Sequence, residues 1–194
     1  RDTVGNTVWS GVVTDGVNRF DIPIAAFAPS NRDELHRHGG ITLKTRRERG
    51  WNGSIVYSNY RILNDVARQA NLPEDLATNG GAGTWTRREG TGWNTFEVQA
   101  AYLPFEGDFT DGRHALTFGL HRNGYLLTNP VTHASDWRDT ETTLAQRYAG
   151  RSEITALYAQ DAWKLRDDLT LTLGLREERF KTFDGEQLLR TTTC

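Results

Sequence analysis

Residues 151–181 read RSEITALYAQDAWKLRDDLTLTLGLREERFK, and this stretch decides the fold. Its second half, Leu169-Thr170-Leu171-Thr172-Leu173-Gly174-Leu175-Arg176, alternates apolar and polar without a fault. A strand sends successive side chains to opposite faces, so the leucines share one face and the threonines, glycine and arginine the other. The first half carries Tyr158-Ala159-Gln160-Asp161 and then Trp163, an aromatic close to the polar turn at Arg166, Asp167 and Asp168. One greasy face, one polar face, aromatics near the ends and a very short turn describe a membrane-spanning β-hairpin.

The string LYAQDAWKL, a short charged turn and then LTLTLGLR resembles a barrel hairpin of TonB-dependent outer-membrane receptors. The close resemblance covers about thirty residues; the rest of the chain agrees in rhythm. It implies a plug-filled barrel of about 22 strands, of which this chain would be about a third. It also implies energised uptake of a scarce solute, such as a ferric siderophore, a cobalamin or an oligosaccharide, across the outer membrane of a Gram-negative bacterium. The implied partners are outer-membrane lipid, a plug domain of the same parent chain, the TonB complex acting through a missing N-terminal part, and a small-molecule or metal-chelate ligand. No covalent chemistry and no cofactor are implied.

Composition narrows the alternatives. The 194 residues include no methionine, so the chain reads as an internal fragment or a processed piece. The resemblance then implies that residues 1–194 are a partial β-barrel domain without plug or closure, whose two raw sheet edges leave it unable to fold stably alone. The longest apolar run, Ile22 to Ala28, contains Pro23 and is too short for a membrane helix. A mean hydropathy of −0.62 suits a soluble protein and equally a barrel with a wet lumen, because only alternate strand residues face lipid. Nineteen glycines and six tryptophans favour strands joined by glycine-rich turns. A net charge of −2 gives no footprint for nucleic acid. The one cysteine, Cys194, admits no internal disulfide, and its role cannot be read from one thiol.

About seven strands are expected: Asn6 to Val13, Leu35 to Arg46, Trp51 to Leu63, Trp93 to Leu103, Arg113 to Tyr125, and the two of the hairpin. After the second strand the connections run short, long, short, long, short. Outer-membrane barrels keep short turns on the periplasmic side and long loops outside. This places 47–50, 104–112 and 166–168 in the periplasm, and 64–92, 127–150 and 15–34 outside. Asn79 to Thr84 reads as a mobile outer loop, and Asp65 to Ala70 as a turn of helix. Trp51, Trp93, Tyr102 and Trp163 lie near strand ends, where an aromatic girdle would put them. The plainer reading makes them core aromatics of a soluble sheet.

Candidate chemistry is thin. His36 and His38 share a strand face, a start for a metal site with no third ligand nearby in sequence; ordinary polar residues beside a loop are the simpler reading. His114, His121 and His133 are isolated, with His121 at a lumen position. Asp167-Asp168 falls in a turn and Glu177-Glu178 points to opposite faces, so neither pair offers two carboxylates to one substrate. Asp15 to Asp21 and Asp108 to Gly112 lack the spacing of a calcium loop. The sequon Asn52-Gly53-Ser54 lies inside a strand. Lys44, Arg46 and Arg176 fall on polar faces, where they either pair with acids of a plug or merely keep a lumen wet. The expectation is therefore no catalytic, metal or cofactor residue, unknown ligand contacts, and no enzyme. A passive porin-type barrel and a soluble β-sandwich carbohydrate-binding module are the alternatives.

Overall fold

The computed structural model describes residues 4–5, 11–107 and 113–190. Most of it is antiparallel strand. A small hairpin pairs β1 (Gly11–Thr14) with β2 (Arg19–Ile22), apart from the main sheet. The main sheet comprises β3 (Ser30–Lys44), β4 (Gly50–Ala70), β5 (Gly83–Arg87), β6 (Gly92–Leu103), β7 (His114–Asp136), β8 (Thr140–Arg166) and β9 (Leu169–Leu189), with the short helix α1 (Glu74–Ala77) between β4 and β5.

β5 and β6 are two pieces of one descending strand. Both pair with β4 on one side and β7 on the other, β5 near one end of the sheet and β6 near the other. The break at 88–91 is bridged to β4 by backbone bonds. Arg88 N donates to Asp65 O, Gly90 N to Ile62 O, and Ile62 N to Thr91 O. On the β7 side Thr91 Oγ1 donates to Thr128 O and accepts from Thr128 N, a side chain standing in for a ladder rung. β3 and β9 are the two outer strands of the sheet.

The register turns the alternation into two faces. Leu171 lies opposite Trp163, Leu175 opposite Ala159, and Leu157 opposite Leu120, which lies opposite Val98 and then Ile55. Ile41 and Leu43 extend this apolar band onto β3. Among the described residues nothing covers it: Leu171, Leu173 and Leu175 are 39%, 56% and 78% exposed, with no second packed layer over them. The reverse face carries Ser54, Ser58, Thr95, Glu97, Gln99, Thr117, His121, Gln160 and Thr172. This is the two-faced wall expected from 151–181.

Three readings change. The stretches 64–92 and 127–150 are not loose loops. β4 runs on to Ala70, so Asp65 to Ala70 is strand and the helical turn lies at Glu74–Ala77. Gly83–Arg87 is the extra strand β5, and β7 and β8 continue to a tight turn at 137–139. The cause is an aromatic and aliphatic core of Val66, Trp85 and Ala134 that a glycine count does not reveal. The 15–34 stretch likewise contains β2 and the first residues of β3. Thirdly, Trp93 pairs with Tyr60 and Tyr125 and so stands on the polar face, not in a girdle on the apolar one. Its parity relative to Phe96 dictates this.

Trp51, Tyr102 and Trp163 do sit at the short-turn end of the apolar face. Trp51 and Tyr102 rings lie 5.2 Å apart, and Trp163 stacks on His114 at 5.2 Å. Asp161 shares that face, opposite Leu173. Its charge is met by His114, whose Nδ1 is 2.7 Å from Oδ2. Of the first expected strand, residues 6–10 lie outside the described residues, as do 108–112 and Cys194.

Candidate functional site

The strands are far longer than a bilayer needs. β8 spans 27 residues, about 90 Å of chain at 3.3 Å per residue, whereas about 9–11 residues cross the hydrocarbon. The end opposite the short turns therefore stands clear of the apolar band. Two polar arrangements occupy the polar face and that tall end.

The lower one is a hydrogen-bonded group on β6, β7, β8 and β9. Tyr158 donates its hydroxyl to Glu97 Oε1 at 3.1 Å and accepts from Gln99 Nε2 at 3.3 Å. His121 Nδ1 is 3.3 Å from Glu97 Oε2. The Arg176 guanidinium lies 5.9 Å from the Tyr158 ring centre and pairs with Glu178. The Tyr158 ring lies flat across Gly119, and any Cβ there would overlap it. Glycine at 119 is thus a packing requirement of this tyrosine. Higher on the same face, His36 Nδ1 is 3.0 Å from the Tyr60 hydroxyl, Tyr60 stacks on Trp93 at 6.1 Å, and His38 tilts against Trp93 at 5.5 Å. Tyr125 follows in the same cross-strand row. These rings form an aromatic strip suited to a flat or sugar-like ligand surface.

The tall end is held by charge and packing. Arg32 grips Asp65 with two bonds, Nε to Oδ1 at 2.9 Å and Nη2 to Oδ2 at 2.8 Å, and Arg88 adds a third at 3.4 Å. Asp65 is fully buried. Hydrogen bonds from Arg32, then its charge and that of Arg88, hold the carboxyl below the usual range against the opposing effect of burial. Glu141 is lowered the same way, first by Arg87 and also by Thr132. Trp85 is clasped by Arg68 at 4.2 Å and Arg87 at 5.1 Å from its ring centre, and its indole donates to Trp137 O. Trp137 in turn donates to Ala77 O, tying the 137–139 turn to α1.

His36 and His38 face the same way but answer to different rings. Among the described residues no group of three His, Cys, Asp or Glu side chains is placed to hold a metal ion. Lys44 stands on the polar face opposite Ser54, and Arg46 falls beyond the strand end. Glu177 and Glu178 point to opposite faces, opposite Leu157 and Ala156. Asp167 and Asp168 bind Lys164 and Arg166 in the turn. Asn52, of the sequon, spends its amide on the Arg47 backbone. The aromatic strip was readable in principle from strand parity at Tyr60, Trp93 and Tyr125. The Asp65 cluster was not, since its three members, Arg32, Asp65 and Arg88, come from three separate segments.

An uncovered apolar band, a polar reverse and a sheet with short turns at one end define the wall of a transmembrane β-barrel. The chain matches the family model "TonB dependent receptor-like, beta-barrel" over residues 2–193, and it belongs to that family. No curated protein matches it.

Proposed function

We propose that this chain forms part of the barrel wall of an outer-membrane receptor that takes up a scarce solute with energy delivered through TonB. The family is one of outer-membrane receptors and transporters rather than enzymes, and this supports the general reading. The observation that carries it is the two-faced wall. Hydrocarbon satisfies no backbone polar group, so such a sheet is tenable only if its strands pair throughout and its apolar side meets lipid. The polar face then lines a lumen, the short turns lie in the periplasm, and the tall end with its ordered cap stands outside. In this arrangement residues 1–194 are one segment of a larger barrel of about 22 strands, whose plug domain fills the lumen and contacts TonB.

The aromatic strip of Tyr60, Trp93 and Tyr125, with His36 and His38, suits a solute with a flat or ring-bearing surface. An aryl chelate such as a siderophore and an oligosaccharide both meet that description. No bond of the solute is broken in this scheme. The test is uptake by cells carrying the intact receptor. Uptake should stop with a protonophore or on loss of TonB. Tyr60→Ala with Trp93→Ala should weaken binding about tenfold, given about 0.5–1.5 kcal/mol for each stacked ring. Uptake that persists without TonB would contradict the reading in favour of a passive pore.

A further inference from the structure

The polar face sorts its charges by height. The row of the aromatic strip runs His38, Tyr60, Trp93, Tyr125, Ser152 and Thr182. The row beneath it runs Ser58, Thr95, Asn123, Ile154 and Phe180. Higher rows pair Leu127 with Gly150, Asn129 with Tyr148 and Gln187, and Val131 with Gln146 and Leu189. None of these partners is Lys, Arg, Asp or Glu, in a chain that is 25% charged. The reverse side of the same strands carries Arg61, Arg122, Arg151, Glu153, Arg179 and Lys181. Charge is therefore present at this level, but on the other face.

The charged groups just below this tract are already matched. Glu97 accepts from the Tyr158 hydroxyl and faces His121, and Arg176 pairs with Glu178. His36 is engaged by Tyr60 and His38 by Trp93. An anionic chelate entering the tract would shed its water with no guanidinium or ammonium to meet it, which is costly. A neutral solute rich in hydroxyls meets what the rows offer. Tyr60 and Trp93 are half-buried and Tyr125 is exposed, so the rings present their faces over about 10 Å from β4 to β7. Beside them, Thr95 donates to Asn123 Oδ1 at 2.7 Å, which leaves the Asn123 amide nitrogen to donate outward.

We propose that this uncharged tract binds a neutral oligosaccharide. The inference deepens the uptake reading above and rests on it, since it takes the polar face as the lumen wall. The C–H faces of the sugar rings lie on Tyr60, Trp93 and Tyr125, while their hydroxyls bond to Ser58, Asn123, Ser152 and Thr182. A sugar hydroxyl both donates and accepts, so amide and hydroxyl partners satisfy it in either sense. Of the two solutes that fit a flat, ring-bearing surface, charge selects the sugar over the anionic chelate.

The test is calorimetric titration of the intact receptor, purified in detergent, at neutral pH. The probes are neutral hexasaccharides of glucose, xylose and mannose, an anionic ferric tris-catecholate and a neutral ferric trihydroxamate. At least one hexasaccharide should bind at least tenfold more tightly than either chelate. Asn123→Ala with Ser152→Ala should weaken that binding at least fivefold, and Arg151→Ser, on the opposite face, should leave it unchanged. Ser152→Arg gives the tract one cation and should raise tris-catecholate binding at least tenfold, which supplies the answer if the alanine variant does not fold. Heat-modifiable gel mobility reports folding in each case. Binding of no hexasaccharide, tighter binding of either chelate, or undiminished sugar binding by the folded alanine variant would overturn the proposal. A tris-catecholate affinity that Ser152→Arg leaves unchanged would overturn it too. A hexasaccharide that binds as expected but enters cells lacking TonB would support the site and refute the energised reading instead.

Discussion

The two ends of this one sheet are stabilised by different means. At the tall end, Val66, Trp85 and Ala134 bury one another, Asp65 is closed inside an arginine pair, and the turn at 137–139 is fastened to α1. At the short-turn end no described residue packs over the large apolar side chains, and Leu175 is 78% exposed. The first region carries its own core and suits water. The second is complete only when lipid supplies the missing half of its packing. Strand content is the same in both, so hydrogen-bonded ladders alone say little about which solvent a sheet was built for.

The largest expected effect separates the regions directly. Trp85→Ala removes the centre of the outer core and should cost about 3–5 kcal/mol of local opening. Hydrogen exchange should quicken in β5 and the 71–82 segment while β9 amides keep their protection. Uniform loss of protection in both would merge the two regions into one cooperative unit.

Next comes the apolar band. Leu173→Arg in the intact receptor should cost about 2–4 kcal/mol if the position lies near the bilayer midplane. Thr172→Arg, one residue away and pointing to the wet side, should cost much less. Equal costs in reversible unfolding from lipid would break the face assignment.

Asp65→Ala should destabilise the outer cap by about 2–3 kcal/mol, below the 3–5 of a fully buried pair because the arginines it releases can reach water. The smallest effect is that of pH. Asp65 and Glu141 have folded-state pKa values held below the ordinary range. Their contribution is therefore complete above the unfolded value of about 4 and is lost as pH falls through the lower folded values. Limited proteolysis at pH 3 should open the cap before the band, and at pH 7 neither.

Much of this contrast could be read from residue order. Perfect alternation in 169–176 gave the band, and the spacing of turns gave the end at which strands are tied closely. Those signals are local, since parity needs only neighbours along one strand. The cap was misread because its order is non-local. Gly80, Gly81 and Gly83 look like a loop, yet Gly83 already opens β5, a strand held by Trp85, whose partners lie some twenty and fifty residues away. Trp93 was placed wrongly for a different reason. Its nearness to a strand end suggests a girdle, while its parity, shared with Thr95 and Glu97, sends it to the polar face.

The most direct test is the solvent at each face of β9. Nitroxide labels are placed singly at 170, 171, 172, 173 and 175 of the intact receptor, on a cysteine-free background with Cys194→Ser, reconstituted in outer-membrane lipid. Labels at 171, 173 and 175 should relax with oxygen and labels at 170 and 172 with a water-soluble nickel complex. Labels that collide equally with both reagents, or leucine positions reached mainly by nickel, would contradict it.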